Sequence, residues 1–199
     1  PELGGNTTLE QCLKETNEIG FSGIEAGGKF PKNSNELIPK LEKENLKLCS
    51  GWYGANLLKN TVKEELLIMK DQLDLFKECN APCMVVAEVS GSIQGKVNIP
   101  LSKRPILNVD EWKTFYNKIS EISKYMQDSG VPLAYHHHMG TVVQSQEDTE
   151  RLIDNTSDTV KLLIDTGHMM FAGGDFVKIA KDYSSRLHHV HCKDIRKDV

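Results

Sequence analysis

The sequence lacks the features that mark membrane-bound and secreted proteins. None of its 199 residues lies in an apolar run approaching the ~20 residues that a membrane-spanning helix requires. The opening residues, PELGGNTT, have neither the basic nor the apolar region of a signal peptide. We therefore expect a cytoplasmic protein without a membrane partner.

Cysteine is scarce, and its spacing is irregular. The 5 cysteines are an odd number, and Cys79 and Cys83 stand too far apart for a C-x-x-C zinc or redox pair. This usage predicts free thiols in a reducing compartment and no disulfide framework.

An excess of positive charge is also absent. Lys and Arg number 24 against 28 Asp and Glu, and the formal net charge of -4 offers nucleic acid no electrostatic attraction. A metal-dependent endonuclease is therefore disfavoured, because it needs a basic face. The sequence contains no G-x-G-x-x-G or G-x-x-x-x-G-K phosphate-binding loop. We expect one domain over residues 1–199, and homo-oligomer formation is left open.

The sequence does contain a repeated alternation of helix and strand patterns. Apolar residues spaced four and three apart predict long amphipathic helices over 62–76 and 109–129. Shorter helices are predicted at 9–19, 35–45, 146–155 and 175–183, the first capped by Asn6 or Thr7 with Glu10. Apolar runs predict strands at 21–26, 46–51, 84–89, 131–135, 162–164 and 187–191, with Trp52 and Tyr53 in the loop after the second strand.

Strands that are each reached through a helix predict a parallel sheet with helices outside it. Right-handed crossovers leave two α/β architectures, a doubly wound open sheet and a (β/α)8 TIM barrel. Candidate ligands stand at several different strand ends, which favours the barrel, since an open sheet gathers its site at one switch point. Because ~250 residues is typical of a barrel, we expect an incomplete barrel of about six strands, with the first strand and the last βα unit missing.

Residues that bind metals or carry protons follow the last two predicted strands. Asp165 ends one buried run, and His191 lies at the end of the next. The alternative for Asp165 is an N-cap of the following turn, and the alternative for His191 is a core position. Because side chains on a strand alternate between faces, His189 shares a face with His191, while His188 points the other way.

The triple histidine after the 131–135 strand divides in the same way. His136 and His138 share a face, which makes His137 the less favoured participant. Glu25 and Glu88 end earlier strands; Glu25 is either a site residue or a surface residue, and Glu88 is the weaker candidate. The aperiodic segment 90–108 is interpreted as a loop that covers the substrate, since so long a loop in a compact domain is usually functional.

Four segments together resemble the inosose dehydratase family. They are DTGHMMFAGGD (165–175), HVHCKDIR (189–196), YHHHMGT (135–141) and SIQGKVNIPLSKRP (92–105). That family lies within the xylose-isomerase-like TIM-barrel superfamily of sugar isomerases and epimerases. The resemblance implies a lyase of inositol catabolism that removes water from a cyclic polyhydroxy ketone, 2-keto-myo-inositol, to leave a diketone. It also implies a divalent metal, manganese or cobalt, and an association with glutathione.

In the superfamily pattern, a Glu, an Asp, a His and a second Glu hold the metal. Asp165 and His191 match the middle two, and the last Glu would lie beyond Val199. His136 stands where the first Glu is expected, so either His136 replaces that carboxylate or the metal is held differently. His168 is expected in a loop that follows Asp165 and lies above the metal, and it corresponds to a position that contacts substrate oxygens.

The resemblance leaves open which residues move protons. The candidates are His138, His168 and Lys193, with Glu25 as a further catalytic candidate. The alternative for Lys193 is an exposed ion pair with Asp194, which would contribute little energy. The alternative activity is isomerisation or epimerisation of a keto-hexose or sugar phosphate, which uses the same metal without loss of hydroxide. A binding protein without activity is the third alternative.

Overall fold

The computed structural model describes residues 4–196, which form six strands and seven α-helices. The strands are β1 (Gly23–Ala26), β2 (Lys47–Ala55), β3 (Met84–Glu88), β4 (Leu133–His136), β5 (Lys161–Asp165) and β6 (Leu187–His191). The helices are α1 (Leu9–Glu18), α2 (Ser34–Lys43), α3 (Val62–Glu78), α4 (Val109–Ser129), α5 (Gln146–Asp154), α6 (Thr166–Phe171) and α7 (Phe176–Asp182). A 3-10 turn, Leu101–Lys103, lies between β3 and α4.

The strands pair in chain order, β1 to β6, and every neighbouring pair is parallel. This order excludes a doubly wound sheet, in which the strand order reverses at a switch point. Glu25 of β1 also contacts His189 of β6, so the sheet curves until its first and last strands approach each other. The prediction of an incomplete (β/α)8 barrel is confirmed.

The outer face of the sheet is covered by the amphipathic helices. The predicted stripe of α4 is fully buried and consists of Trp112, Phe115, Ile119, Ile122 and Met126. Burial of one such side chain contributes roughly 1.5 to 3 kcal/mol, so this face fixes the helix against the strands. A capping box of Asn108 and Glu111 begins α4, and Gly130, with φ 96°, ends it in the left-handed conformation.

The inner face of the sheet is lined by small and medium side chains. They are Ser50, Cys83, Val85, Ala134 and Leu163; the last four form a cluster separate from the helix-facing core. Because a strand repeats every two residues, Trp52, His136 and Asp165 lie on this same face, each two positions beyond one of these residues. On these three strands, the site side chains of the inner face therefore stand towards the carboxyl ends.

Three local predictions were wrong. Thr8, and neither Asn6 nor Thr7, is the N-cap of α1, since its side chain accepts from the Gln11 amide. Trp52 and Tyr53 lie within β2, which continues to Ala55. Residues 166–171, expected to be a loop, form the short helix α6.

Two predictions about composition can be compared with the structure. All five cysteines are free, as expected from their spacing. Within residues 4–196, no helix has both the length and the apolar character needed to cross a membrane. The cytoplasmic location stays a prediction.

Candidate active site

Five histidine rings from three parts of the chain meet at the carboxyl ends of the strands. They are His136 at the end of β4 and His138 just after it, His168 in α6, and His189 and His191 of β6. Ring centroids are 5.1 Å apart for His136 and His191, 5.3 Å for His136 and His138, and 4.1 Å for His138 and His168. The Trp52 ring packs edge-on against His136 at 5.5 Å and against His138 at 5.4 Å, so β2 supplies one wall of the site.

Three potential metal ligands converge within this cluster. His136 Nε2 lies 3.5 Å from Asp165 Oδ2, His191 Nδ1 lies 3.6 Å from the same oxygen, and the two nitrogens are 3.2 Å apart. Two ligands that each stand ~2.1 Å from one ion are roughly 3.0 to 3.5 Å apart at cis or tetrahedral angles. These three atoms therefore fit the coordination of one divalent ion, with His136 in the position expected for a carboxylate.

His168 extends this set of ligand atoms. Its Nε2 lies 3.6 Å from Asp165 Oδ2, and His136, Asp165 and His168 together could also hold a metal. His168 also contacts Lys193, whose Nζ is 3.2 Å from its Nε2. The expected contact of His168 with substrate stays a prediction.

The hydrogen bonds of His136 orient it as a ligand. Its Nδ1 contacts the carbonyl oxygen of His137, which only accepts, so Nδ1 carries the proton. Burial lowers the pKa of His136, and the ring is neutral near pH 7. Its Nε2 therefore has a free lone pair that faces Asp165 and His191. A second hydrogen bond that fixes the tautomer in this way is typical of metal-binding histidines.

Asp165 is both an N-cap and a site residue, so the two interpretations of this residue are compatible. Its Oδ1 accepts from the His168 amide at 2.9 Å and begins α6, while Oδ2 faces the histidines and accepts from Lys193 Nζ. Burial alone would raise the pKa of Asp165. Contacts with His136, His191 and Lys193 outweigh it and hold that pKa well below its usual range. Asp165 is thus a permanent negative charge in the interior.

Two neutral bases stand beside the ligand atoms. His138 donates through Nδ1 to the Met139 carbonyl at 2.9 Å, which leaves its Nε2 as a proton acceptor. Burial lowers the pKa of His138, and burial together with the nearby His138 lowers that of His168 to about 3. Lys193 bonds to Asp165 and His168, so it lies in the site and does not form the exposed pair with Asp194.

Glu25 lies on the β6 side of the cluster. Its Oε1 is 2.6 Å from His189 Nε2 and 3.1 Å from His191 Nε2. Burial would raise the pKa of Glu25, but the two imidazoles lower it to about 2. Contacts with Asp165 and Glu25 raise the pKa of His191 to about 9. A catalytic role for Glu25 stays a prediction.

Sequence reasoning ranked His137 low, yet its side chain supports the site. His137 is buried, and its Nε2 accepts the backbone N–H of Asp165 at 3.2 Å. The last β4–β5 pair in register is His136 with Leu163, so the His137 imidazole accepts an N–H just beyond the paired strands. The contact between His137 and Asp165 joins two neighbouring strands. The alternation of side chains along a single strand, which the prediction used, cannot reveal such a contact.

Two other residues weighed in the sequence, Glu88 and His188, lie outside the cluster. Glu88 is buried and accepts from the backbone amides of Leu57 at 2.6 Å and Ser90 at 2.7 Å, so it fixes two loops. His188 contacts the Pro82 carbonyl at 3.2 Å, before the amino end of β3. Neither Glu88 nor His188 contacts the five clustered histidines.

The segment 90–108 is attached to the loop that follows the triple histidine. The Ile93 amide donates to the Gly140 carbonyl at 3.0 Å, and Gly140, at φ 80°, leaves no room for a Cβ against Gln94 N. Arg104 donates to the Val142 carbonyl at 2.9 Å and to Asp148 at 2.8 Å. Both ends of the segment are thus fixed against residues 140–148, which is compatible with a cover over the site. The covering role itself stays a prediction.

Comparisons with known proteins agree with this arrangement. The sequence profile described as "Xylose isomerase-like TIM barrel" matches residues 13–199. The chain is 41% identical over its whole length to the rhizopine catabolism protein MocC of Rhizobium meliloti, and 40% identical to inosose dehydratase 2 of a Bacillus cereus strain. It spans 61% of the first relative and 67% of the second.

A solved structure shows the same fold at low sequence identity. The probable 3-DHS dehydratase AsbF of Bacillus anthracis superposes with a TM-score of 0.74 and 15% identity, over 96% of this chain and 69% of that one. The sequence profile, the full-length identity to two relatives and the parallel strand order all lead to one assignment. The chain belongs to the xylose isomerase-like TIM barrel family.

Proposed function

We propose that the full-length protein is a metal-dependent hydro-lyase that converts 2-keto-myo-inositol, a cyclic polyhydroxy ketone, into a diketone and water. The observation that carries the proposal is the placement of two neutral bases, His138 and His168, beside three convergent ligand atoms. The 40% identity to an inosose dehydratase supports the choice of substrate.

The residues His136, Asp165 and His191 would hold manganese or cobalt. When bound, a divalent metal supplies a Lewis acid that polarises the carbonyl and increases the acidity of the neighbouring C–H. Imidazole and carboxylate are ligands that suit such ions. Glutathione is a prediction from the sequence resemblance alone.

His138 is the base of the proposed reaction. Its Nδ1 donates to the Met139 carbonyl oxygen, which leaves a lone pair on Nε2. That lone pair accepts the proton from the carbon next to the ketone carbonyl. The electron pair of that C–H bond forms the double bond of an enolate, and the enolate then re-forms the carbonyl and expels the β-hydroxyl. The product is an enol, which rearranges to the diketone. Burial keeps His138 neutral near pH 7 and available for this step.

Lys193 is the acid of the reaction, and His168 helps to hold it in place. The Lys193 ammonium, held between Asp165 and His168, donates a proton to the departing hydroxyl, which leaves as water. His138 returns its proton to solvent, Lys193 takes one from solvent, and no oxidant or reductant is needed. Trp52, against His136 and His138, covers one side of the reacting centre and excludes water there.

Turnover of 2-keto-myo-inositol tests the proposal. The full-length protein with Mn²⁺ or Co²⁺ should produce a diketone with new ultraviolet absorbance, and a chelator should stop the reaction. His138→Gln should lower kcat by about 100-fold or more while metal binding persists, since general base catalysis contributes ~10²–10⁴-fold. His188→Gln, at the opposite end of the strands, is the matched control and should retain wild-type kcat.

The assay also separates the alternative activity from the proposed one. A protein that leaves this ketone unchanged but interconverts ketohexose epimers with the same metal is an epimerase, and the dehydratase proposal is then wrong. Equal loss of rate in His138→Gln and His188→Gln would contradict the role given to His138.

A further inference from the structure

The contacts of Glu25 differ from those expected of a group that touches substrate. A single oxygen, Oε1, lies 2.6 Å from His189 Nε2 and 3.1 Å from His191 Nε2. All three side chains are partly buried, with exposed fractions of 33%, 21% and 23%. The carboxylate is therefore already engaged by two imidazoles.

Hydrogen bonding explains this geometry better than a second metal ion does. Glu25, His189 and His191 have ligand atoms close enough together to be considered for an ion. However, the 2.6 Å between Glu25 Oε1 and His189 Nε2 is shorter than the roughly 3 Å that separates two ligands of one ion. That distance is typical of a charge-assisted hydrogen bond. Since a carboxylate only accepts, both Nε2 atoms carry protons.

The proton on His191 Nε2 determines what the other nitrogen can do. His191 Nδ1 faces Asp165 Oδ2 at 3.6 Å and His136 Nε2 at 3.2 Å. A metal that binds here would displace the Nδ1 proton of His191, and the ring, with its proton kept on Nε2, would then direct the Nδ1 lone pair towards these two atoms. Glu25 thus selects the tautomer in which His191 can act as a ligand.

We propose that Glu25 is a positioning residue that orients His191 for metal binding and does not act on substrate. This inference rests on the metal site of the proposed function. His189 is the second donor to the same oxygen, and it fixes the carboxylate in front of His191. The two histidines stand two positions apart on β6, so they face Glu25 together. The contact joins residues 164 positions apart and links the first described strand to the last.

Metal titration of substrate-free protein tests the proposal. Glu25→Ala in the full-length protein should weaken Mn²⁺ or Co²⁺ binding by about 10- to 100-fold with unchanged stoichiometry, as loss of an outer partner of a ligand does. Glu25→Gln should lose less, because its amide oxygen still accepts from one imidazole. The visible spectrum of bound Co²⁺ should change in Glu25→Ala, because His191 is no longer held at one angle.

Glu88→Gln is the matched control. Glu88 is also a strand-end carboxylate, but its partners are the amides of Leu57 and Ser90, so its replacement should lower stability and leave metal affinity unchanged. If Glu25→Ala does not fold, Glu25→Gln and His189→Asn carry the test, and each should weaken metal binding.

Three results would overturn the proposal. If every Glu25 variant kept wild-type metal affinity but lost much of its kcat, Glu25 would be a catalytic residue. Loss of one whole metal equivalent would make it a ligand of a second ion. A wild-type protein that binds no divalent metal would also exclude the positioning role. Substrate turnover plays no part in the metal titrations, so a failed dehydratase assay with weakened metal binding in Glu25→Ala leaves the inference standing.

Discussion

The histidines at the end of β4 and His191 of β6 stand at the same edge of one sheet, yet their surroundings give them opposite properties. Around β4, burial is the dominant effect, and it lowers the pKa of His136, of His138 and, to about 3, of His137. On β6, Asp165 and Glu25 raise the pKa of His191 to about 9. The position of two carboxylates thus divides one residue type into neutral imidazoles at β4 and an imidazole on β6 that keeps its proton to higher pH.

Asp165 lies between the histidines of β4 and His191, so its replacement should have the largest effect on the properties of both. Asp165→Asn keeps an oxygen that accepts from the His168 amide but removes the charge that faces His136, His191 and Lys193. Metal affinity should fall by more than the ~100-fold expected for an outer partner, because a ligand is lost. Titration with Mn²⁺ measures this change.

The control for that experiment is another N-cap. Asp175 accepts from the amides of Val177 and Lys178 at the start of α7, where it is exposed. Asp175→Asn should leave metal affinity unchanged. A similar loss of affinity in both variants would mean that Asp165 acts through the helix and not as a ligand.

Replacement of His137 should have the second largest effect, and it acts on the stability of the protein around β4. His137→Leu leaves the buried Asp165 N–H without its acceptor, which should lower the free energy of unfolding by about 1–3 kcal/mol at pH 7. Denaturant unfolding of the metal-free variant measures this loss.

The same variant should change the acid dependence of stability. The pKa of folded His137 is about 3 against 6.5 for the unfolded residue, so between these values only the unfolded chain takes up the proton. Stability of the wild type should therefore fall as pH falls from 6.5 towards 3, and His137→Leu should reduce the slope by one proton. An unchanged slope would contradict the neutral state assigned to His137.

The sequence predicted most of the fold because helix stripes and buried strands are local patterns. The apolar spacing of 109–129 matched α4, and DTGH and HVH located Asp165 and His191 at strand ends. Trp52 was misplaced because Trp52 and Tyr53 were interpreted as a loop after Gly51, whereas the strand continues with alternating faces. Helix α6 was missed because six residues are too few to show a helical period.

Contacts between residues far apart in the sequence could not be predicted from local patterns. Alternation correctly placed His189 and His191 on one face, but the curvature of the whole sheet brings Glu25 of β1 against them. Alternation also separated His137 from its neighbours, and it carried no information about the Asp165 amide that His137 meets on the next strand. Such pairings depend on the closure of the barrel, which no stretch of the sequence encodes by itself.

The smallest expected effect concerns the β6 side and has the opposite pH dependence. In metal-free protein, the pKa of folded His191 is about 9 against 6.5 in the unfolded chain, so the folded chain keeps a proton that the unfolded chain loses in this window. The stabilising contribution of His191 is complete below pH 6.5 and disappears as pH rises towards 9. Because this side chain is partly solvated, the change should be smaller than that of His137→Leu. Denaturant unfolding at pH 6.5 and pH 9 should show the loss in the wild type and in His188→Gln, and a weaker loss in Glu25→Gln, where one of the two carboxylates is gone. If no protein lost stability between pH 6.5 and pH 9, His191 would be as neutral as the histidines of β4, and the division between them would not hold.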